Sequence, residues 1–343
     1  MFNLFISESA LRAIVQTEEQ KPKADQSYLY KIIRLLPKLY VSAESADIAW
    51  SRNFPTGHPL PLDFSCSDYI RAIPTHPASV LQHPSSLFIL DISALEAQAI
   101  QKSYGVLCMS SQQAHAASLL DVNDEHTTGN GEPFDKGWGT VLKSVHDLPS
   151  NALLLTDRYL FARTSPRLGD GLANVQSILN ELLPLQFAAE YHVTIVFDKE
   201  SLHPSYTFED LATRLNRLKQ NLHRDYPIHM EVLGITPDCE IYNKLHNRRI
   251  VSNYYIVKVE HKLAAFNGNK GTALQTITPQ LLFTADSLNG SSSPPLKSID
   301  YIHAALRQFS RDLAELRDHS IYRYALNGKH LDKCDGIINR ILK

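Results

Sequence analysis

The sequence predicts an α/β protein whose mixed, mainly parallel sheet is flanked by helices, and two stretches of alternating pattern carry that prediction. In the first, apolar runs at Leu87–Leu90 and residues 106–109 bracket a helical spacing over Ala94–Tyr104. In the second, apolar runs at Ala152–Thr156, residues 192–197 and Ile228–Ile235 alternate with amphipathic segments at 172–183 and 208–222. Each β-α-β step implies a parallel pair joined by a right-handed crossover. After Arg248 the runs 248–251 and 254–259 leave no room for a crossover helix, which predicts a hairpin-like antiparallel pair, and 281–283 is available as a further strand.

Taken in order, the elements divide the chain. Ser7 or Ser9 is placed to cap a helix over 10–17, and a second apolar periodic segment covers 28–36 before Pro37. Residues 54–84, rich in Pro, His and Ser, read as a long surface connection with one ordered turn at 69–73. Residues 121–136 have no hydrophobic period and read as a loop, and 138–145 as a brief helix. The strand at 152–156 is expected to run on through Tyr159 and Phe161, and Gly169-Asp170-Gly171 reads as a turn before the helix that Pro184 stops. Leu211, Leu215, Leu218 and Leu222 mark the apolar face of the next helix. The run SLNGSSSPP disfavours any packed element and reads as a linker over 287–297. Beyond it, Ile299, Ile302, Leu306, Phe309, Leu313 and Leu316 recur at steps of three and four, a helical seam that can pack on the body or on a second copy. The expected organisation is an α/β region over 1–150, a second α/β domain over 151–286, the linker, and a helical appendage over 298–343. A length of 343 residues with 43% apolar content supports this division.

A formal net charge of -2 gives no global attraction to nucleic acid or an anionic membrane, so any polyanion contact must be local. Cys66, Cys108, Cys239 and Cys334 show no CxxC spacing, so neither a zinc ribbon nor a disulfide framework is suggested, and a reduced, cytoplasmic setting is the simplest expectation. The opening MFNLFISESALRAIV lacks a basic n-region and does not read as a signal peptide; no apolar run is long enough to span a membrane. His58, His76 and His83 are too scattered for a metal site, and neither metal nor cofactor is expected.

The candidate site is HNRRIVSNYYIVKV, residues 246–259. A neutral imidazole at His246 can attack phosphorus, and the Arg248 guanidinium, two positions on along a strand, faces the same side and can hold two phosphate oxygens. Arg249 adds charge, and Tyr254 and Tyr255 offer rings on which a base could stack. The spacing His246, Arg248, Asn253 resembles the His-x-Lys-x4-Asp motif of the phospholipase D superfamily, with arginine for lysine and asparagine for aspartate. The resemblance covers roughly residues 151–285 and implies a phospholipase D-like second domain. His246 would then be the nucleophile or proton donor, Arg248 the phosphate clamp, and Asn253 the counterpart of the residue that orients the nucleophile. The family's active site joins two such motifs, so catalysis through this single copy implies a homodimer. Asn253 cannot stabilise an imidazolium by charge, which favours a non-catalytic module that recognises a phosphate-bearing ligand, nucleic acid before lipid. Family analogy suggests a role in bacterial defence. The alternative is an active phosphodiesterase or nuclease, dependent on His246 in a dimer or on a metal held by Asp91, Asp157 and Asp198 at strand ends.

Overall fold

The computed structural model describes residues 3–36, 38–42, 60–113, 124–162, 168–237, 248–281, 321–327, 330–333 and 339–342. The chain is α/β, with two compact units: Met1–Asp121 with Leu282–Tyr301, and Val122–Leu281 with Ile302–Lys343. No helix among the described residues is long and apolar enough to cross a membrane.

The first unit holds a five-stranded, wholly parallel sheet. Its strands are β1 (Leu4–Ser7), β2 (Leu39–Ser42), β3 (Leu62–Asp63), β4 (Leu87–Leu90) and β5 (Leu107–Ser110), in the order β3-β2-β1-β4-β5. The central strand β1 pairs Leu4 with both Leu39 and Leu87, and all four of its residues are buried. In the sequence its apolar run merges with the helix Glu8–Glu18 that starts at the next residue, because a strand covered on both faces carries no alternation to separate it. The β4–β5 pair is parallel across the helix Ala94–Tyr104, as its sequence predicts. That helix begins at a capping box between Ser93 and Glu96 and ends at Gly105, whose φ of 60° is the left-handed cap that glycine adopts without strain. Residues 60–84 depart from the expected surface connection. They form β3, a helix at Ser67–Ala72 and a 3-10 turn at Pro77–Gln82, and they bury Ile70, Ile73 and Val80 against Phe5 and Phe88.

The second unit is built on a nine-stranded mixed sheet. Its strands are β6 (His126–Thr128), β7 (Ala152–Thr156), β8 (Tyr191–Asp198), β9 (Ile228–Ile235), β10 (Arg248–Ser252), β11 (Tyr255–Val259), β14 (Gln275–Leu281), β15 (Ile321–Asn327) and β16 (His330–Lys333). A separate short hairpin joins β12 (Phe266–Asn267) and β13 (Lys270–Gly271). The sheet order is β16-β15-β9-β8-β7-β10-β11-β14-β6. Strands β7, β8 and β9 are parallel, linked through the helices Leu168–Leu182 and Phe208–Gln220, and every pairing outside that trio is antiparallel. Val175, Ile178, Leu179, Leu211 and Leu215 from the helices pack with Leu153, Leu155, Ile195, Val232, Ile250 and Val257 of the sheet. Each such side chain contributes about 1.5–3 kcal/mol on burial.

Several expectations are corrected here. Strand β6 pairs with β14, Thr128 opposite Gln275, so residues from 122 belong to the second unit rather than to a first domain ending at 150. Strand β7 stops at Thr156, where Asp157 turns the chain instead of extending it to Phe161. Gly171 lies inside a helix, not in a turn before it. The C-terminal stretch expected to be helical contributes β15 and β16. The linker at 287–297 and the seam from Ile299 to Leu316 lie outside the described residues.

Candidate functional site

Strand β10 lies between β7 and β11, with Arg249 opposite both Thr156 and Lys258, and Lys258 in turn opposite Thr278 on β14. Ile250 and Val257 belong to the helix-covered core, so strand alternation turns Arg249, Lys258 and Thr278 to the opposite face as a row across three strands. Arg248, Val259, Glu260 and Thr276 complete a concavity of about 370 Å³ with that row. Arg248 Nη1 donates to the Glu260 carbonyl (3.1 Å), and Glu260 Oε2 accepts from the Thr276 backbone N–H (3.0 Å). Burial, and then the Arg249 charge, push the Lys258 ammonium down from its ordinary range. Like charges directly opposite in a ladder are destabilising, and an anion lying between them removes that cost.

Arg248 also reaches Asp157, with Nε 4.0 Å from Oδ1, and its guanidinium carbon lies 6.0 Å from the centre of the Tyr159 ring. Asp157 is 1% exposed. Its Oδ1 accepts from the Tyr159 N–H (2.8 Å) and its Oδ2 from the Leu263 N–H (2.7 Å). Burial raises its carboxyl pKa, while these two N–H groups and the Arg248 charge pull it back. The carboxylate therefore ties the end of β7 to the loop after β11. Asp198 Oδ1 accepts from the Glu200 N–H (2.9 Å) and starts the 3-10 turn Lys199–Ser201. Asp91 lies in the first unit and accepts from the Ser9 hydroxyl. Among the described residues, none of these three aspartates belongs to a cluster of ligand atoms sized for a metal ion.

His246 lies outside the described residues. Asn253, 1% exposed, sits past the far end of β10 from Arg248, on the order of 15 Å along the strand. Its Oδ1 accepts from the Asn151 and Ala152 N–H groups (3.0 and 3.2 Å), and its Nδ2 donates to Asn151 Oδ1 (2.8 Å). The carboxamide thus serves as a clasp for the start of β7 and faces no site with Arg248. Tyr254 and Tyr255 are 0% and 1% exposed, so their rings fill the interior and offer no stacking surface. Of the residues singled out from sequence, Arg248 and Arg249 share the concavity. Lys258, Thr276 and Thr278 join them unannounced, although Lys258 is the sole charge in the run Tyr255–Val259 and that interruption is a legible signal.

No family model matches the chain, and no curated protein matches it. Among solved structures, a crystal structure of Aa-Ago with externally bound siRNA aligns at a TM-score of 0.16 and 11% identity over 86% of this chain. This chain spans 43% of that one, and a likeness so slight carries no argument.

Proposed function

We propose that the second unit recognises a phosphate-bearing ligand, a single-stranded nucleic acid first among them, in the concavity of Arg248, Arg249 and Lys258. The observation that carries this reading is the Arg249–Lys258 pair, two cations directly opposite on neighbouring strands with the Thr278 hydroxyl beyond them. A guanidinium supplies two parallel N–H donors to a phosphate, the ammonium a point charge and the threonines neutral donors. The interior position of Tyr254 and Tyr255 leaves backbone phosphates as the recognised feature, which favours binding without base selectivity. The phospholipase D-like assignment rests on the His246–Arg248 spacing and on the β-α-β-α-β order followed by antiparallel strands. Within it, the engagement of Asn253 by Asn151 and Ala152 favours a binding module over a phosphodiesterase, so no second copy of the chain is required. The thiols of Cys66 and Cys108 are both unpaired, which suits a reducing, cytoplasmic setting. A defence role is carried by family analogy alone.

The test is fluorescence anisotropy of a short labelled oligonucleotide across a salt series. Arg249→Ala and Lys258→Ala should each weaken binding and lower the slope of log K against log salt by about 0.7. The melting temperature of Lys258→Ala should stay level or rise, since it removes half of a like-charge pair. Unchanged affinity and slope in both variants would refute the reading.

A further inference from the structure

On the sheet of the second unit, two histidines and a glutamate converge on adjacent parallel strands. His192 on β8 is registered opposite His229 on β9, and Glu190, the residue before β8 begins, brings its carboxylate to the same place. One ligand atom from each of Glu190, His192 and His229 lies within 4.8 Å of the others. The imidazoles stand at 64° with ring centroids 5.2 Å apart, an edge-on contact rather than a stack. His229 Nε2 is 3.2 Å from Glu190 Oε2. In tetrahedral zinc sites with bonds of about 2.0–2.1 Å, neighbouring ligand atoms stand about 3.4 Å apart, so this pair is already spaced as two ligands of one ion. The same His229 nitrogen is enclosed, its one close approach among the described residues is to the Glu190 carboxylate, and that proximity holds the Glu190 carboxyl below its ordinary range.

We propose that Glu190, His192 and His229 form a binding site for a divalent zinc-like cation. Two imidazoles and one carboxylate are the donors that borderline metals select, whereas Mg²⁺ and Ca²⁺ prefer oxygen alone. Arg340 borders the cluster, its Nη2 3.3 Å from His192 Nε2. For Arg340 to donate there, that nitrogen must present its lone pair, and a guanidinium so close to the cluster competes by charge with an arriving cation. The competition is local, because Arg340 is carried on the 3-10 turn Arg340–Leu342. That turn is fastened to the sheet by Asn339 Nδ2, which donates to the Leu153 carbonyl (3.0 Å) and Thr194 Oγ1 (2.9 Å). The site is separate from the Arg249–Lys258 concavity and shares no residue with it.

The experiment is calorimetric titration of the full chain, stripped with chelator, with ZnCl₂ in a non-coordinating buffer, and with CoCl₂ as a visible-absorption reporter of nitrogen and oxygen ligation. One equivalent of Zn²⁺ should bind and raise the melting temperature. His229→Ala and Glu190→Gln, both at partly exposed positions, should weaken binding about tenfold or more while the far-ultraviolet dichroism stays unchanged. Arg340→Ala should tighten it by removing the competitor. His192→Ala should abolish binding, and if that variant does not fold, His229→Ala and Glu190→Gln carry the test. Absence of saturable binding, or binding of undiminished affinity in both of those variants, would overturn the proposal and leave Glu190 and His229 as an ion pair.

Discussion

Replacing Asn253 with alanine removes at least three hydrogen bonds from a place water does not reach. Asn253, Asn151 and Ala152 are 1%, 0% and 0% exposed, so the two backbone N–H groups and the Asn151 side-chain oxygen released by the change gain no solvent in exchange. At about 1 kcal/mol net per bond, the lower end for groups left buried and unsatisfied, the second unit should lose about 3 kcal/mol or more. For a unit of this size each kcal/mol lowers the melting temperature by about 2–4 °C, giving a drop of about 6–12 °C. Calorimetric melting, with urea titration followed by circular dichroism, measures it directly. Oligonucleotide affinity at a temperature where the variant is folded should stay within about twofold of the parent, since Asn253 is distant from Arg248 along β10. A fall of less than about 2 °C would show that the carboxamide is no clasp. Lost binding with intact stability would instead return Asn253 to the ligand site and revive the motif reading.

Two further perturbations follow from the geometry. Gly171→Ala would place a methyl 2.2 Å from the Leu160 carbonyl oxygen and 2.8 Å from the Phe161 ring. The variant should lose about 1–3 kcal/mol in urea unfolding although alanine is the better helix former, and a gain in stability would refute the close approach. Lys258→Gln should be more stable than the parent at neutral pH, because burial and Arg249 depress the folded-state lysine below its unfolded value. That penalty is fully present below the folded value and fades as pH rises toward the unfolded value of about 10.4, so urea midpoints of the two proteins should converge by about pH 10.5. A difference that holds constant from pH 7 to 10.5 would exclude the charge as its cause.

The sequence by itself determined the elements whose signals are local. The parallel strands β4, β5, β7, β8 and β9 are apolar runs bounded by recognisable stops, and Ser93 with Glu96, Thr207 with Asp210, and Gly105 punctuate the helices between them. Burial on both faces and capping chemistry are properties of a few consecutive residues, which is why they can be read without a fold. Tertiary structure alone decided the rest. The central place of β1, the addition of β6 to the sheet opposite Gln275, and the docking of β15 beside β9 are pairings over long sequence separations, and the residues of such short strands do not name their partners. The same is true of both sites. Arg249, Lys258 and Thr278 meet through the register of three antiparallel strands, and Glu190 and His192 meet His229 only because β8 and β9 lie side by side. Tyr254 and Tyr255, equally fit for a stacking surface or a core, went inside because the turn from β10 to β11, residues 252–255, is itself buried, a choice that the aromatic side chain leaves open and its neighbours close.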